Sequence, residues 1–337
     1  MRIYIVSTLN TYYDTIDIVR QNLEISGFIG LTDRHDSDAV SGYMNYAPYC
    51  RQHGITHIPV DNYSMRDEAT KELLSRERID LLLVVGWQRL IPDWLIEHST
   101  YGAIGVHGSS RGITKGRGRS PQNWALILGH EQFQLSIFKI DPGIDSGSVI
   151  DTRTFSYDDH DDINTSYYKV AWLTGEMLVD CLSSGKIQRG EVVPQDDTPE
   201  YLPKRSPKHG AIDWRRSSRE IFNFIRAQTR PYPGAFTSVS GIKCRIWAAR
   251  PFALELRSNQ PPGTVLKIYP NGDMIVQTGG GLLLVDDYST ESDDLNLETG
   301  LVFESADFRE QMLEIAEAHQ EKYPDLPLSR DILSLIC

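Results

Sequence analysis

Short apolar runs alternating with helical segments constrain the fold of the first hundred residues. The runs contain Ile, Val and Leu without polar alternation, which is typical of parallel strands buried on both faces. They are Met1–Ser7, Gly27–Leu31, Thr56–Val60, Ile79–Val85 and the shorter Ala103–Val106. Helical spacing occupies three of the intervening segments, Tyr12–Ile25, Tyr43–His53 and Glu68–Arg78. The alternation predicts a doubly wound, mostly parallel α/β sheet of the Rossmann-like type.

The second half of the chain has a different pattern. A chain of 337 residues is long enough for two domains. We predict a catalytic domain over residues 1–190 and a linker over 191–204, where three prolines occur. Short strands separated by Asn-Gly and Gly-rich turns predict a small, OB-like β-barrel over 205–290.

Residues 291–337 form an acidic tail. Its segment Asp307–Tyr323 carries apolar residues in near-helical register and is predicted to be an amphipathic helix. Two roles are open for this helix: it covers the barrel, or it binds a second subunit and makes a homodimer.

Composition excludes several classes of protein. The net charge of −12 should repel polyanions, which argues against a nucleic-acid partner. The four cysteines are widely spaced and form no CxxC pair, so we expect reduced thiols in a cytoplasmic protein. No signal peptide or membrane span is expected, because no apolar run is long enough. The sequence contains no GxGxxG or P-loop and so gives no support for a dinucleotide or ATP site.

The segment from Gly102 to Ile150 concentrates the residues suited to catalysis. His107 follows a short strand, and a glycine- and arginine-rich loop comes next. Asp145 then lies in the turn sequence DPGIDSG. An imidazole titrates near neutral pH, so a histidine beside a carboxylate can take up and release a proton.

These motifs, together with four others, resemble the folate-dependent formyltransferases. The others are Val84–Pro92, Gly210–Trp214, Ile225–Ala227 and Pro231–Phe236. Each motif is weak alone, but their joint order is specific for the family and less so for the acceptor. The resemblance implies a catalytic domain followed by the C-terminal domain of methionyl-tRNA and amino-sugar formyltransferases. The implied reaction moves a formyl group from N10-formyltetrahydrofolate to an amine.

The resemblance also assigns residues to the site. His107 would donate to the developing oxyanion or relay a proton, and Asp145 would orient His107 and help to deprotonate the amine. The implied folate-binding residues are Gly86, Trp87, Gln88, Leu90, Ile140, Asp141 and Gly143. Structural alternatives remain open: a histidine at a strand end, a tryptophan in the core, and an Asx turn, which we expect Asp141 rather than Asp145 to form.

The sequence departs from the family beside the histidine. The family motif is Asn, an apolar residue and His, whereas this chain has Gly105-Val106-His107. Loss of one oxyanion donor typically costs about 10²–10³ in rate. The expected replacement is Asn123, with Gln122, Ser109 and Ser110 as other candidates. The alternative for Asn123 is to cap a helix beginning at Trp124.

We expect Ser109, Arg117 and Arg119 to bind the acceptor, because guanidinium groups match phosphate oxygens and a nucleotide-sugar diphosphate would suit this loop. The alternative is that the arginines are solvated or paired with acids. No metal is expected, because the acidic run Asp158–Asp162 lacks EF-hand spacing. That run is better explained as a loop that caps the next helix.

Four functions follow from these observations. The first is an N-formyltransferase for a small acceptor amine, most plausibly a nucleotide-linked amino sugar. The second is a methionyl-tRNA formyltransferase, which the Arg- and Lys-rich C-terminal module favours and the net charge opposes. The third is a folate-dependent deformylase, and the fourth is a folate-binding relative without catalysis.

Overall fold

The computed structural model describes residues 1–34, 40, 42–195, 198–256, 258–292 and 297–336. The chain forms two compact units. The first comprises residues 1–117, 134–155 and 167–198, and the second comprises 118–133, 156–166 and 199–337. Two segments of the predicted catalytic half thus group with the C-terminal half. Among the described residues, no helix is long and apolar enough to cross a membrane.

A seven-stranded sheet organises the first unit. Its strands are β1 (Ile3–Val6), β2 (Gly27–Leu31), β3 (Thr56–Val60), β4 (Leu81–Val84), β5 (Ala103–Ser109), β7 (Gln132–Lys139) and β8 (Val149–Ser156). The order is β3-β2-β1-β4-β5-β7-β8, and the first five strands are parallel. This confirms the doubly wound sheet that the apolar runs predict. Strands β1, β2 and β4 are buried along their whole length, whereas the edge strand β3 buries only Ile58 and Val60.

The three helices predicted between the first strands are present as α1 (Tyr13–Asn22), α2 (Ala47–His53) and α3 (Glu68–Ser75). The sequence did not predict α4 (Asp93–His98), which lies between β4 and β5. Helices α6 (Ile163–Ser183) and α7 (Lys186–Arg189) follow β8. Two further strands of two residues each, β6 (Arg117–Gly118) and β9 (Tyr201–Leu202), pair with each other outside this sheet. At the start of α3, the Asp67 carboxylate accepts the Thr70 backbone N–H, the usual N-cap arrangement.

Strand β5 is longer than predicted. We expected it to end at Val106, but His107 and the next two residues continue the strand by antiparallel pairing with β7. The parallel pairing with β4 ends at the pair Val84–Gly105. Gly86 and His107 therefore both lie two residues beyond the last parallel pair, at the carboxyl edge where doubly wound sheets bind ligands.

The second unit contains a five-stranded antiparallel sheet. Its strands are β10 (Ala235–Val239), β11 (Ile242–Ala253), β12 (Val265–Ile268), β13 (Met274–Gln277) and β14 (Leu282–Thr290), in the order β10-β11-β14-β13-β12. Residues 303 and 304 donate backbone hydrogen bonds to Gly263 and Ser238. This segment therefore links the two edges of the sheet.

Among the described residues, the α-helices that lie wholly in the second unit are α5 (Pro121–Ile127), α8 (Ser218–Arg226), α9 (Phe308–Lys322) and α10 (Arg330–Ser334). Ser217 and Glu220 form a capping box at the start of α8. The predicted tail helix appears as α9, and Phe308 at its start contacts Phe224 of α8 edge to face. The tail helix thus contacts α8 within its own unit.

Candidate active site

His107 is held through both ring nitrogens. Its Nε2 lies 2.7 Å from the carbonyl oxygen of Gly116, and its Nδ1 lies 3.5 Å from Oδ2 of Asp145. A carbonyl oxygen only accepts hydrogen bonds, so Nε2 carries the proton of the neutral ring. Nδ1 is then the nitrogen that gains or loses a proton, and it faces the carboxylate. The imidazole is 10% exposed, which shields this pair from bulk water.

Asp145 reaches His107 from a tightly built turn. Its backbone is left-handed, with φ of +50°, a conformation that Asp tolerates better than most residues. Asp141 forms the Asx turn expected of it, since its Oδ1 accepts from the Gly143 N–H at 3.1 Å and from the Ser146 hydroxyl at 2.5 Å. The carboxylate of Asp145 is 23% exposed. The turn therefore presents one carboxylate to the histidine and uses the other for its own structure.

The space beside Gly105 is already filled. A Cβ added there would lie 3.1 Å from Cγ1 of Ile140 and 3.2 Å from Cζ of Phe138. Residues 105 and 107 share one face of β5 because side chains alternate along a strand. The position of the family asparagine is therefore next to His107 and is occupied by the Ile140 side chain. The chain therefore has no empty space at this position.

Two of the expected replacements for that donor, Asn123 and Ser109, donate to other groups. Asn123 lies in the second unit and is 3% exposed. Its Nδ2 donates to the Ala227 carbonyl at 2.6 Å. It also does not cap its helix, because α5 begins at Pro121 rather than Trp124. Gln122 accepts from the Ser166 hydroxyl, and Ser109 donates to the Gly112 carbonyl at 2.7 Å.

The three residues expected to bind the acceptor lie in different environments. Arg117 is buried, and its Nη2 donates to Oε1 of Gln195 at 2.8 Å. Ser109 is 2% exposed and closes a local turn. Arg119 lies in the second unit with an exposed side chain. These contacts favour a loop-building role for Ser109 and Arg117 and leave Arg119 as the arginine accessible to a phosphate.

The segment that follows β4 has a backbone that only glycine permits. Gly86 has φ of +77°, and an added Cβ would lie 2.9 Å from the Tyr12 ring. Trp87 is buried, packs edge to face on Tyr63, and its Nε1 has no hydrogen-bond partner among the described residues. The Gln88 N–H donates to the Tyr63 hydroxyl at 3.0 Å. Leu90 is 48% exposed, so an apolar side chain remains open beside this edge.

The acidic run Asp158–Asp162 is structural. Asp162 Oδ1 accepts the backbone N–H groups of Asn164 and Thr165, which caps the helix that follows, as predicted. Arg226 donates to the carbonyls of Asp158 and Asp161. Across the described ranges, no group of three or more His, Cys, Asp or Glu side chains is arranged to hold a metal.

Sequence reasoning missed Gln195, which lies in the predicted linker. Its side chain forms hydrogen bonds with four groups from the His107 loop and the Asp145 turn. A single glutamine between prolines gives no sequence signal, because its partners are about 50 to 80 residues away.

Comparison with known proteins identifies both halves of the chain. Residues 29–182 match the family described as formyl transferase, and residues 204–295 match the formyl transferase C-terminal domain. A methionyl-tRNA formyltransferase of Caldanaerobacter subterraneus subsp. tengcongensis is 30% identical over 237 residues, which cover 69% of this chain and 74% of that protein. The bifunctional polymyxin resistance protein ArnA of Wigglesworthia glossinidia brevipalpis is 30% identical over 202 residues, 59% of this chain and 30% of ArnA.

Solved structures share the fold at lower identity. HypX from Aquifex aeolicus in complex with tetrahydrofolic acid matches with a TM-score of 0.58 at 17% identity, covering 97% of this chain and 48% of HypX. An N-formyltransferase from Helicobacter canadensis in complex with folinic acid and dTDP-3-aminofucose matches with a TM-score of 0.57 at 16% identity, covering 86% of this chain and all of that one. The chain thus spans about half of HypX. Taken with the matches in sequence, these findings show that the chain belongs to the formyltransferase family.

Proposed function

We propose that this protein is an N-formyltransferase that moves a formyl group from N10-formyltetrahydrofolate to the amine of a nucleotide-linked amino sugar. The observation that carries the proposal is the placement of His107 between the Gly116 carbonyl and the Asp145 carboxylate. Among the described residues, this pair joins a titratable ring to an acid at the carboxyl edge of the parallel sheet.

The reaction requires one proton to change partners. A bond forms between the acceptor nitrogen and the formyl carbon, the bond from that carbon to N10 breaks, and a proton passes from the acceptor nitrogen to N10. Nδ1 of His107 is the nitrogen that can hold this proton, since Nε2 is bound to a carbonyl. The Asp145 carboxylate stabilises the imidazolium that forms. Together the two residues serve as the acid and base of the transfer.

The residues after β4 fit a folate donor, which supplies the formyl carbon and the leaving N10 when bound. Gly86 lets the backbone pass close to Tyr12, Leu9 and Ser7, where an added Cβ would lie within 3.1 Å of their side chains. The Trp87 Nε1 and Thr8 Oγ1 atoms are buried without hydrogen-bond partners in the part of the chain that the structure describes. Leu90 offers an exposed apolar surface. The Aquifex and Helicobacter relatives were crystallised with tetrahydrofolic acid and folinic acid, which supports the same class of donor here.

Charge favours a small acceptor over tRNA. Residues 205–290 contain twelve basic and six acidic side chains, but several of the basic side chains form ion pairs with acidic residues. Arg230 contacts Asp287 at 2.7 Å, and Arg245 contacts Glu291 at 2.8 Å. A tRNA-binding surface gains most of its affinity from Lys and Arg side chains that neutralise phosphates and are not already paired with acidic residues. The Helicobacter neighbour, whose whole length is covered, was solved with a dTDP-linked amino sugar.

A methionyl-tRNA formyltransferase is the second candidate, because the Caldanaerobacter relative carries that name at 30% identity.

Isothermal titration with N5-formyltetrahydrofolate, a stable mimic of the donor, tests the donor first. Transfer assays then compare dTDP-3-aminofucose, other nucleotide-linked amino sugars and methionyl-tRNA. Transfer to a sugar nucleotide supports the proposal, whereas transfer to tRNA alone supports the second candidate. Formate release without an acceptor indicates a deformylase, and absence of folate binding refutes the proposed reaction.

Variants test the proton pair directly. His107→Ala and Asp145→Asn should each abolish transfer without unfolding the protein. His98→Ala is a matched control, because the His98 Nε2 also lies 2.8 Å from a backbone carbonyl but the residue is on the surface. Turnover near the wild-type rate in either active-site variant would remove its assigned role.

A further inference from the structure

Gln195 ties together the two loops that position His107. We propose that it is a positioning residue: its carboxamide fixes the Gly116 carbonyl and the Asp145 carboxylate relative to the two ring nitrogens. This inference rests on the proposed function, in which that geometry sets the path of the proton. Gln195 itself touches neither nitrogen, so its effect is transmitted through the loops.

The contacts divide evenly between the two loops. Oε1 accepts from the Thr114 hydroxyl at 2.9 Å and from Arg117 Nη2 at 2.8 Å, which flank Gly116. Nε2 donates to the carbonyls of Asp145 at 2.9 Å and Gly147 at 2.8 Å. One side chain thus holds the loop that binds Nε2 of His107 and the turn that faces Nδ1.

Only a carboxamide of this length meets all four demands. A glutamine offers two acceptor lone pairs and two N–H donors, and each is used here. A glutamate would place a carboxylate oxygen against two carbonyl oxygens, which repel it. A methionine would keep the length and lose all four hydrogen bonds. The identity of the side chain is therefore specified by its partners rather than by packing.

The segment that carries Gln195 is itself anchored. Val193 and Val149 exchange backbone hydrogen bonds at 2.8 and 2.7 Å, which fixes the segment to the start of β8. The Lys115 ammonium donates to the Thr198 carbonyl at 2.6 Å, which fixes it to the His107 loop on the other side. Gln195 thus lies two residues after a backbone anchor to β8.

The test uses Gln195→Glu and Gln195→Met in the full chain, with Gln188→Met as a matched control on the exposed surface of α7. Nitrogen NMR of [15N]histidine-labelled protein, assigned with His107→Ala, reports which ring nitrogen carries the proton. In the wild type, the Nε2 resonance should be that of a protonated nitrogen. In both Gln195 variants the two His107 resonances should move toward each other, because Gly116 no longer selects one tautomer. The control should match the wild type.

Kinetics provide the second readout. A displacement of about 1 Å in the site can lower kcat about 10²-fold, and we expect this loss with unchanged affinity for N5-formyltetrahydrofolate. If Gln195→Met does not fold, Thr114→Val removes one partner of Oε1 and should give a smaller change of the same sign. Wild-type His107 resonances in the folded variants would overturn the proposal. Because NMR requires no turnover, failure of the proposed reaction leaves this readout intact, and the two failures are distinguishable.

Discussion

Restoring the family amide tests whether Ile140 has replaced it. The perturbation is the double substitution Gly105→Asn with Ile140→Ala. An asparagine on the face of β5 that carries His107 would place a donor beside the imidazole. Gly105 has no left-handed backbone requirement, so an L side chain is compatible with the strand. The main obstacle is the Ile140 side chain, whose Cγ1 and Cδ1 would lie 3.1 and 3.2 Å from the new Cβ, and Cζ of Phe138 would also lie 3.2 Å away.

The magnitudes favour the double variant. Gly105→Asn alone overpacks the site and should cost about 1–3 kcal/mol of stability. Ile140→Ala removes two of the three nearest atoms, leaving Cζ of Phe138 at 3.2 Å. It should cost about 2 kcal/mol, at the low end for such truncations because Ile140 is only partly buried. One oxyanion donor is worth about 2.7–4 kcal/mol in the transition state. We therefore expect the double variant to be less stable and to raise kcat about 10²–10³-fold.

Single-turnover loss of the formyl group from N10-formyltetrahydrofolate measures the effect, with and without the nucleotide amino-sugar panel. Gly105→Ala with Ile140→Ala is the matched control, because it changes bulk at both positions without supplying an amide. Equal rates for the double variant and this control, with folded protein and bound folate, would refute the argument that the missing amide limits the reaction. A full gain from Gly105→Asn alone would show that Ile140 does not obstruct the position.

Three further outcomes follow from the packing. Burial raises the pKa of Asp213, but hydrogen bonds from Arg215 and the first N–H of α9 outweigh it and leave the pKa below 3.8. Asp213→Asn should therefore cost about 1.5–3 kcal/mol in urea unfolding at neutral pH, and the difference should vanish as pH falls through the lowered pKa; a pH-independent difference would contradict this. Gly147→Ala places a Cβ 1.6 Å from a β7 carbonyl oxygen, so the thermal unfolding midpoint of the variant should fall. An unchanged midpoint would contradict the close packing of this turn against β7. Burial raises the thiol pKa to about 11 at Cys50, Cys181 and Cys244. The Cys337→Ser protein should therefore react with DTNB only after it is unfolded. Rapid reaction of the native protein would disprove the burial of these thiols. Cys337 lies outside the described residues.

Local sequence was sufficient to predict the five parallel strands of the first unit, apart from the end of β5. Strands β2 and β3 match their predicted runs residue for residue. Strand β2 is buried throughout and leaves a continuous apolar signal, whereas the edge strand β3 buries only Ile58 and Val60. The predicted end of β5 was wrong because His107 and its neighbours pair with β7. Such pairing depends on residues some thirty positions away in the sequence. Strand β8 was missed because its alternating burial is interrupted by charged residues. Non-local hydrogen bonding, rather than propensity, decides these boundaries.

The site shows the same division. Motif order predicted His107 and Asp145 as a pair, and their nitrogen and oxygen lie 3.5 Å apart. Asn123 was selected because its amide matches the missing group, but that amide binds a carbonyl in the second unit. Gln195 was not selected because nothing local marks it. Sequence therefore indicates which residue types are available, and tertiary contacts determine which hydrogen-bonding groups remain for chemistry.

The left-handed backbone of Asp145 allows two substitutions to separate the role of its carboxylate from the role of the turn. Its φ of +50° is tolerated by Asp and Asn and disfavoured for other residues with a Cβ. Asp145→Asn therefore keeps the turn and removes only the charge that faces His107, whereas Asp145→Ala also strains the backbone. We expect both variants to be inactive and only the alanine variant to have a lowered thermal midpoint. An equal loss of stability in Asp145→Asn would assign the lost activity to the turn, and a wild-type midpoint without turnover would assign it to the carboxylate.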